Sequence, residues 1–248
     1  MTSTTIKKQG LQLRVCSYNI HKGFSTSNRK FLLQEIRHAI RMVDADFVFL
    51  QEVMGESHRK RGQDHKNQFE FLADSIWHHK AYGQNAIYEN GHHGNAILGK
   101  YPFIDYKNID VSQWSASQRG LLLGKTDIGV YLLCAHFGLL AFEREAQLNA
   151  MVKLVKKDIP AKAPLVIAGD FNDWNLGIHQ KITERLKVKE AYTTIAGKPP
   201  KTFPSKLPLL PMDRVYYRNI ELVDAEVLSG KPWNTLSDHC ALMAIFKL

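Results

Sequence analysis

Six short segments, far apart along the chain, each set a carboxylate, amide or imidazole beside a run that reads as a buried strand. They are Cys16-Ser17-Tyr18-Asn19, Phe49-Leu50-Gln51-Glu52, Leu133-Cys134-Ala135-His136, Ala168-Gly169-Asp170-Phe171-Asn172, Ser237-Asp238-His239 and, at a strand's start, Met212-Asp213-Arg214-Val215. A buried strand gains nothing from such a group unless something there binds it. Charges that leave water must be paired or must ligate a metal. One strand ending in Asp is ordinary; six elements delivering Asn, Glu, His, Asp/Asn, Asp and Asp/His point to one convergent site.

Between these segments the hydrophobic pattern alternates between the strand and helix periods. Strands are expected over residues 11–20, 46–51, 86–88, 96–99, 104–111, 121–125, 130–136, 165–168, 215–217, 222–227 and 240–247. Helices are expected over 30–42, 69–77, 144–157 and 178–186. Long runs of strands lie between strand–helix–strand units, which argues for two packed sheets with helices outside rather than one doubly wound sheet. No linker, repeat or low-complexity tract breaks the 248 residues, so one catalytic domain is expected over 1–248. Residues 1–10 read as a flexible polar lead without the apolar core of a secretory signal. No stretch reaches the roughly 18 apolar residues of a membrane span. The cysteines, Cys16, Cys134 and Cys240, lie inside strand patterns and are odd in number, as buried free thiols of a reducing compartment would be. A cytoplasmic monomer is expected.

The donor types define the chemistry. Glu52 and Asp238 offer hard carboxylate oxygens and Asn19 a neutral one. With no thiolate ligand, that set suits Mg²⁺, with Mn²⁺ as a substitute, over Zn²⁺. His136 and His239 remain for proton transfer or for hydrogen bonds to phosphate. Asp170 can orient or deprotonate a water, and Asn172 can donate to a developing negative oxygen. Together they read as metal-assisted hydrolysis of a phosphate ester. The excess of 33 Lys and Arg over 24 Asp and Glu, a net +9, favours a polyanionic or phosphate-bearing partner such as DNA. The basic groups expected near the cleft are Lys22, Arg29, Arg59-Lys60-Arg61, Arg119 and Lys231. The 58–66 segment reads as a basic loop.

In this combination and order, the segments Ser17-Tyr18-Asn19-Ile20, Leu50-Gln51-Glu52-Val53, Gly94-Asn95-Ala96-Ile97-Leu98, Gly169-Asp170-Phe171-Asn172, Met212-Asp213-Arg214-Val215 and Ser237-Asp238-His239 resemble the endonuclease/exonuclease/phosphatase family. The resemblance implies the deoxyribonuclease I-like fold, a four-layer α/β sandwich of two mixed β-sheets packed face to face with helices outside. It implies divalent-metal-dependent hydrolysis of phosphate esters. Glu52 matches the principal metal ligand, supported by Asn19 and Asp238. Asp170 and Asn172 match the pair that orients water and binds the scissile phosphate. His239 matches the phosphate-contacting histidine and Asp213 its orienting carboxylate. His136 matches a second histidine found in the deoxyribonuclease I and sphingomyelinase branches. Asn95, Arg119 and His21 stand where substrate-facing groups are expected. Where abasic-site nucleases carry an acidic residue two places after the first Asn, this chain has His21, and Pro211-Met212 replaces an aromatic-basic pair before Asp213. These departures argue against abasic-site specificity. At the place of a carboxylate partner for His136 stands His93, with Glu89 as an alternative partner. The run His136-Phe137-Gly138-Leu139, then Glu143-Arg144-Glu145 and a helix, resembles most the small bacterial branch of the family. The expected function is a phosphodiesterase or nuclease; a lipid or small phosphodiester substrate is the alternative to DNA, and a non-catalytic phosphate-binding scaffold the remaining one.

Overall fold

The structure, a computed structural model, describes residues 10–27, 30–57, 67–73, 76–88 and 91–248. The polar lead through residue 9, Arg29, the basic 58–66 segment and Glu89 lie outside the described residues. Two six-stranded sheets pack face to face. The strands of the first are β1 (Gln12–Asn19), β2 (Phe47–Ser57), β3 (His79–Tyr88), β4 (Gly91–Gly99), β11 (Glu221–Leu228) and β12 (Ala241–Lys247), in the order β11-β12-β1-β2-β4-β3. The second holds β5 (Phe103–Asp110), β6 (Gly120–Thr126), β7 (Tyr131–His136), β8 (Leu165–Asp170), β9 (Lys189–Glu190) and β10 (Asp213–Arg218), in the order β5-β6-β7-β8-β10-β9. The α/β sandwich with helices outside is the fold expected from the strand and helix pattern.

The apolar strands are explained by burial on both faces. Successive residues point to opposite sides of a sheet. In β2, Phe47 and Phe49 enter the core between the sheets, while Val48 and Leu50 face outward under helices. In β7, Leu132 and Cys134 point inward and Leu133 and Ala135 outward. The outer face of the first sheet is covered by α1 (Leu33–Val43) and α2 (Gln68–Ala73), with Ile36, Ile40, Leu72 and Trp77 buried there. The second is covered by α3 (Ala141–Asp158) and α4 (His179–Leu186), through Leu148, Met151, Val155 and Ile182. All three cysteines are free and buried. Among the described residues no helix is long and apolar enough to cross a membrane.

Two parallel pairs lie at the centre, β1 with β2 and β7 with β8. Their C-terminal ends therefore lie at a common edge of each sheet. The neighbours β12 and β10 run antiparallel, so their N-terminal ends arrive at that same edge. This arrangement makes residues at the ends of β1, β2, β7 and β8 neighbours of those that precede β12 and open β10.

The structure differs from the sequence expectation at several elements. The strand expected over 86–88 is the end of β3, which begins at His79 and is interrupted in pattern by Gly83 and Asn85. β4 begins at Gly91, and of the helix expected over 69–77 the described part is α2, after which the Trp77 amide still donates to the Ala73 carbonyl at 3.1 Å. Two short helices were not legible. One is α5 (Ala191–Ala196), whose Thr-rich sequence has weak helix propensity and whose start is capped by Glu190 accepting from the amides of Tyr192 and Thr193. The other is α6 (Trp233–Leu236).

Candidate active site

The first sheet supplies an oxygen-rich rim. β2 does not end at Glu52 but continues to Ser57. Its pairing with β4 shifts between Leu50 and Val53, a bulge in which Glu52 takes a left-handed φ of 56°. Such a bulge re-aims a side chain out of the pleat. β1 then runs into a tight turn at His21–Gly23, where His21, Lys22 and Gly23 have φ of 46°, 56° and 82°. The His21 amide donates to Asn19 Oδ1 at 3.1 Å, which stabilises the turn. The turn brings Lys22 Nζ to 3.3 Å from Glu52 Oε2 and His21 Nδ1 to 3.6 Å from Asp238 Oδ1. Ser237 Oγ donates to the Asn19 carbonyl at 2.7 Å, tying the segment before β12 to the end of β1.

The second sheet supplies a buried wall. His136 pairs with Asp170 across β7 and β8, and Asp170 with Asp213 across β8 and β10. His136 Nε2 lies 3.7 Å and His239 Nε2 3.8 Å from Asp170 Oδ2. The other nitrogen of His239, Nδ1, hydrogen-bonds Asp213 Oδ2 at 2.8 Å. One ligand-capable atom each of Asp170, Asp213 and His239 lies within 4.8 Å of the others. Asn19 Nδ2 donates to Asp170 Oδ2 at 3.1 Å and so joins rim to wall. The strand can end in Asp170 only because residue 169 is glycine: its φ is +148°, and a Cβ there would stand 1.9 Å from the Ala135 carbonyl oxygen. Beyond it, Asn172 holds φ 48°, donates its backbone amide to Asp170 Oδ1 at 2.9 Å and donates Nδ2 to the Phe137 carbonyl at 2.9 Å. One of its two amide hydrogens is thereby spent on the backbone.

The electrostatics of the two parts differ. Burial works against a charge on Glu52, but His136, Lys22, His21 and His93 outweigh it and hold the carboxyl at about 2. Burial, then the neighbouring Asp213, raises Asp170 against the lowering effect of His239. Burial pulls His239 down, and Asp213 with Asp170 more than reverses it, so its value rises to about 10. Burial and then Arg119 push His136 well below the ordinary histidine range, leaving it neutral at pH 7. His93 falls to about 4, through burial and Lys22.

The predicted residues therefore gather. Asn19, His136, Asp170, Asn172, Asp213 and His239 form one connected group. Glu52 follows Gln51, which pairs with Asn19 across β1 and β2, and Asp238 approaches through His21. Arg119 borders the wall, its Nε donating to the Phe137 carbonyl at 3.2 Å. Asn95 is buried in β4 with Nδ2 on the Gly120 carbonyl at 3.0 Å, while its Oδ1 has no hydrogen-bond partner. Asp213 does not pair with the guanidinium of Arg214. That group is buried and donates to the carbonyls of Pro211, Asp213 and Asp173, locking the loop after β8 to the start of β10. This clamp has no local signal, because an Arg beside an Asp looks like an ion pair.

The donor set of the rim fits a divalent cation. Glu52 Oε2 is buried and accepts no hydrogen bond, the Lys22 contact notwithstanding. A buried anionic oxygen without a donor is costly unless a cation satisfies it. Glu52, Asp238 and the Asn19 oxygen are hard ligands of the kind Mg²⁺ takes.

Sequence comparison gives the class to which this fold and arrangement belong. The profile of the Endonuclease/Exonuclease/phosphatase family matches residues 16–239, and the chain belongs to that family. Membership supports a metal-dependent phosphoesterase or nuclease in general. The chain is 40% identical over 246 residues to the uncharacterized protein YbhP of Escherichia coli (strain K12), covering 95% of this chain and 96% of that one. An endonuclease/exonuclease/phosphatase from Beutenbergia cavernae has the same fold, with TM-score 0.81 at 19% identity over 96% of this chain and 72% of that one. So does D. rerio TDP2 complexed with single strand DNA product, with TM-score 0.72 at 16% identity over 96% and 99%.

Proposed function

We propose that this protein is a Mg²⁺-dependent phosphodiesterase in which Mn²⁺ can substitute, and that Glu52, Asp238 and Asn19 hold the ion. The observation that carries the reading is the convergence of Asn19, His136 and His239 on the single carboxylate of Asp170. Nothing in a fold's stability requires four polar groups from both sheets to meet at one oxygen. The bound cation supplies positive charge that neutralises the phosphate and its developing negative oxygens.

The chain's own groups perform the remaining tasks. Asp170, raised by burial and Asp213, is a base with a proton affinity suited to neutral pH. It orients a water and takes its proton as the new oxygen–phosphorus bond forms and the ester oxygen–phosphorus bond breaks. His239, charged below about 10, faces the same space with Nε2 while Asp213 fixes its ring through Nδ1. It balances the phosphate charge and returns a proton to the leaving oxygen. The remaining amide hydrogen of Asn172 donates to a phosphate oxygen. His136, neutral, is a hydrogen-bonding rather than a proton-donating group. Arg119, Asn95 and His21 border the substrate.

The +9 charge suits DNA and anionic lipid alike, and the single strand DNA product bound by D. rerio TDP2 supports a diester of the nucleic-acid type as one substrate. Hydrolysis of bis-p-nitrophenyl phosphate in Mg²⁺ tests the reaction without choosing between them. The wild type should release nitrophenol and Asp170→Asn should not; equal rates would reject the assignment.

A further inference from the structure

The edge that carries the site also carries most of the exposed large apolar side chains among the described residues. Four segments meet there. Residues 111–119 lead into β6, 137–140 follow β7, 171–178 follow β8, and 197–212 lead into β10. The pairings Leu121 with Ala135, His136 with Asp170 and Asp170 with Asp213 put all four at one edge of the second sheet. On their tips, and on the first turn of α3, Trp114, Phe142, Trp174, Leu207 and Leu209 are 51%, 62%, 41%, 64% and 53% exposed. Single exposed hydrophobics need no explanation, but a group of them gathered at the edge that carries the candidate site does.

The tips are displayed on a fixed base. Trp114 Nε1 donates to Glu143 Oε1 at 2.9 Å, and the Arg144 guanidinium lies 4.8 Å from the ring centre of Trp174. The Ser205 amide donates to the Asp238 carbonyl at 2.7 Å, and Phe203 packs on His239 with ring centres 5.0 Å apart. These contacts hold the apolar side chains outward at little further cost in conformational entropy.

Charge indicates what they meet. The 197–212 segment, which bears Leu207 and Leu209, has three lysines, Lys198, Lys201 and Lys206, all exposed, and no carboxylate. Across the four segments the one carboxylate is Asp173, which is buried. The first turn of α3, which bears Phe142, adds Glu143, buried under Trp114, and Glu145, paired with Lys181 at 2.6 Å, so the carboxylates here are buried or ion-paired. Apolar side chains beside unpaired lysines match the interface of an anionic bilayer: hydrocarbon takes the former and headgroup phosphates the latter. A nucleic acid would use the lysines but would leave the aliphatic leucines in water.

We propose that this rim docks the enzyme on an anionic phospholipid surface, with the cleft opening toward the headgroup phosphodiesters. The substrate half of this inference rests on the phosphodiesterase reading; the binding half does not.

Vesicles of phosphatidylglycerol in phosphatidylcholine, and of phosphatidylcholine alone, test it by co-sedimentation and tryptophan emission. Trp77 and Trp233 are buried, so a blue shift reports Trp114 and Trp174. The wild type should sediment with the anionic vesicles, shift blue and bind neutral ones at least about tenfold more weakly. The triple variant Phe142→Ser/Leu207→Ser/Leu209→Ser, altered only at exposed positions, should lose about tenfold or more of that binding. Its hydrolysis of bis-p-nitrophenyl phosphate should be unchanged. Absence of anionic vesicle binding, or binding that the triple variant retains in full, would overturn the proposal. So would duplex DNA affinity that falls with the triple variant while vesicles go unbound. Hydrolysis of the soluble diester in any of those cases would leave the phosphodiesterase reading standing.

Discussion

The two halves of the site are built to opposite specifications. The rim from the first sheet is partly open: Glu52, Asp238 and Lys22 side chains are 20%, 25% and 39% exposed, and Glu52 Oε2 accepts no hydrogen bond. The wall from the second sheet is closed. Asp170 and Asp213 are 2% exposed, and both are engaged by His239. A rim whose Glu52 oxygen lacks a donor is completed by a ligand, whereas a wall that satisfies its own charges is organised in advance of one. Two consecutive residues divide between them, Asp238 turning to His21 and His239 to Asp213.

On that contrast, the wall should be the more sensitive half for chemistry. Asp170→Asn keeps the shape and removes the base, so turnover of bis-p-nitrophenyl phosphate should fall by about 10²–10⁴-fold with the circular dichroism spectrum retained. A fall under tenfold would make the wall structural. Asp213→Asn should cost about 10²-fold by misorienting the His239 ring. It should also bring the His239 titration, followed by NMR, down from about 10 toward the ordinary 6.5. An unchanged titration would show that Asp213 is not its partner.

The same contrast should appear in stability. In chelated protein, His239 has its folded value raised, so its contribution is fully present below 6.5 and lost as pH rises through about 10. Glu52 has its value lowered from 4.5 to about 2, so its contribution is present above 4.5 and lost as pH falls through about 2. Urea melts against pH should therefore lose their alkaline slope in His239→Ala and keep their acid one. The smallest effect belongs to the open rim: Lys22→Gln should change stability by no more than about 0.5 kcal/mol. A larger loss would mean that the rim is as self-sufficient as the wall.

How much of this was legible depends on range. The sandwich was readable because strands buried on both faces give short, fully apolar runs, as over 46–51 and 165–168. The edge strand β3 was not, since Gly83 and Asn85 break its alternation. All the wall residues were named from their positions at strand ends. The bulge at Glu52 was not foreseen, because it depends on the register with β4, a long-range property with no local signal. The Arg214 clamp and the apolar rim were hidden for the same reason: each requires knowing which loops share an edge.

The central claim is that the open rim is a cation site and the closed wall its catalytic partner. Titrating Mg²⁺ into chelated protein while following bis-p-nitrophenyl phosphate hydrolysis, with Glu52→Gln alongside, tests it most directly. The account predicts no turnover without metal, saturable recovery in the wild type, and a midpoint for Glu52→Gln displaced to at least about tenfold higher Mg²⁺. Full turnover in chelator, or superimposable curves for the two proteins, would contradict it.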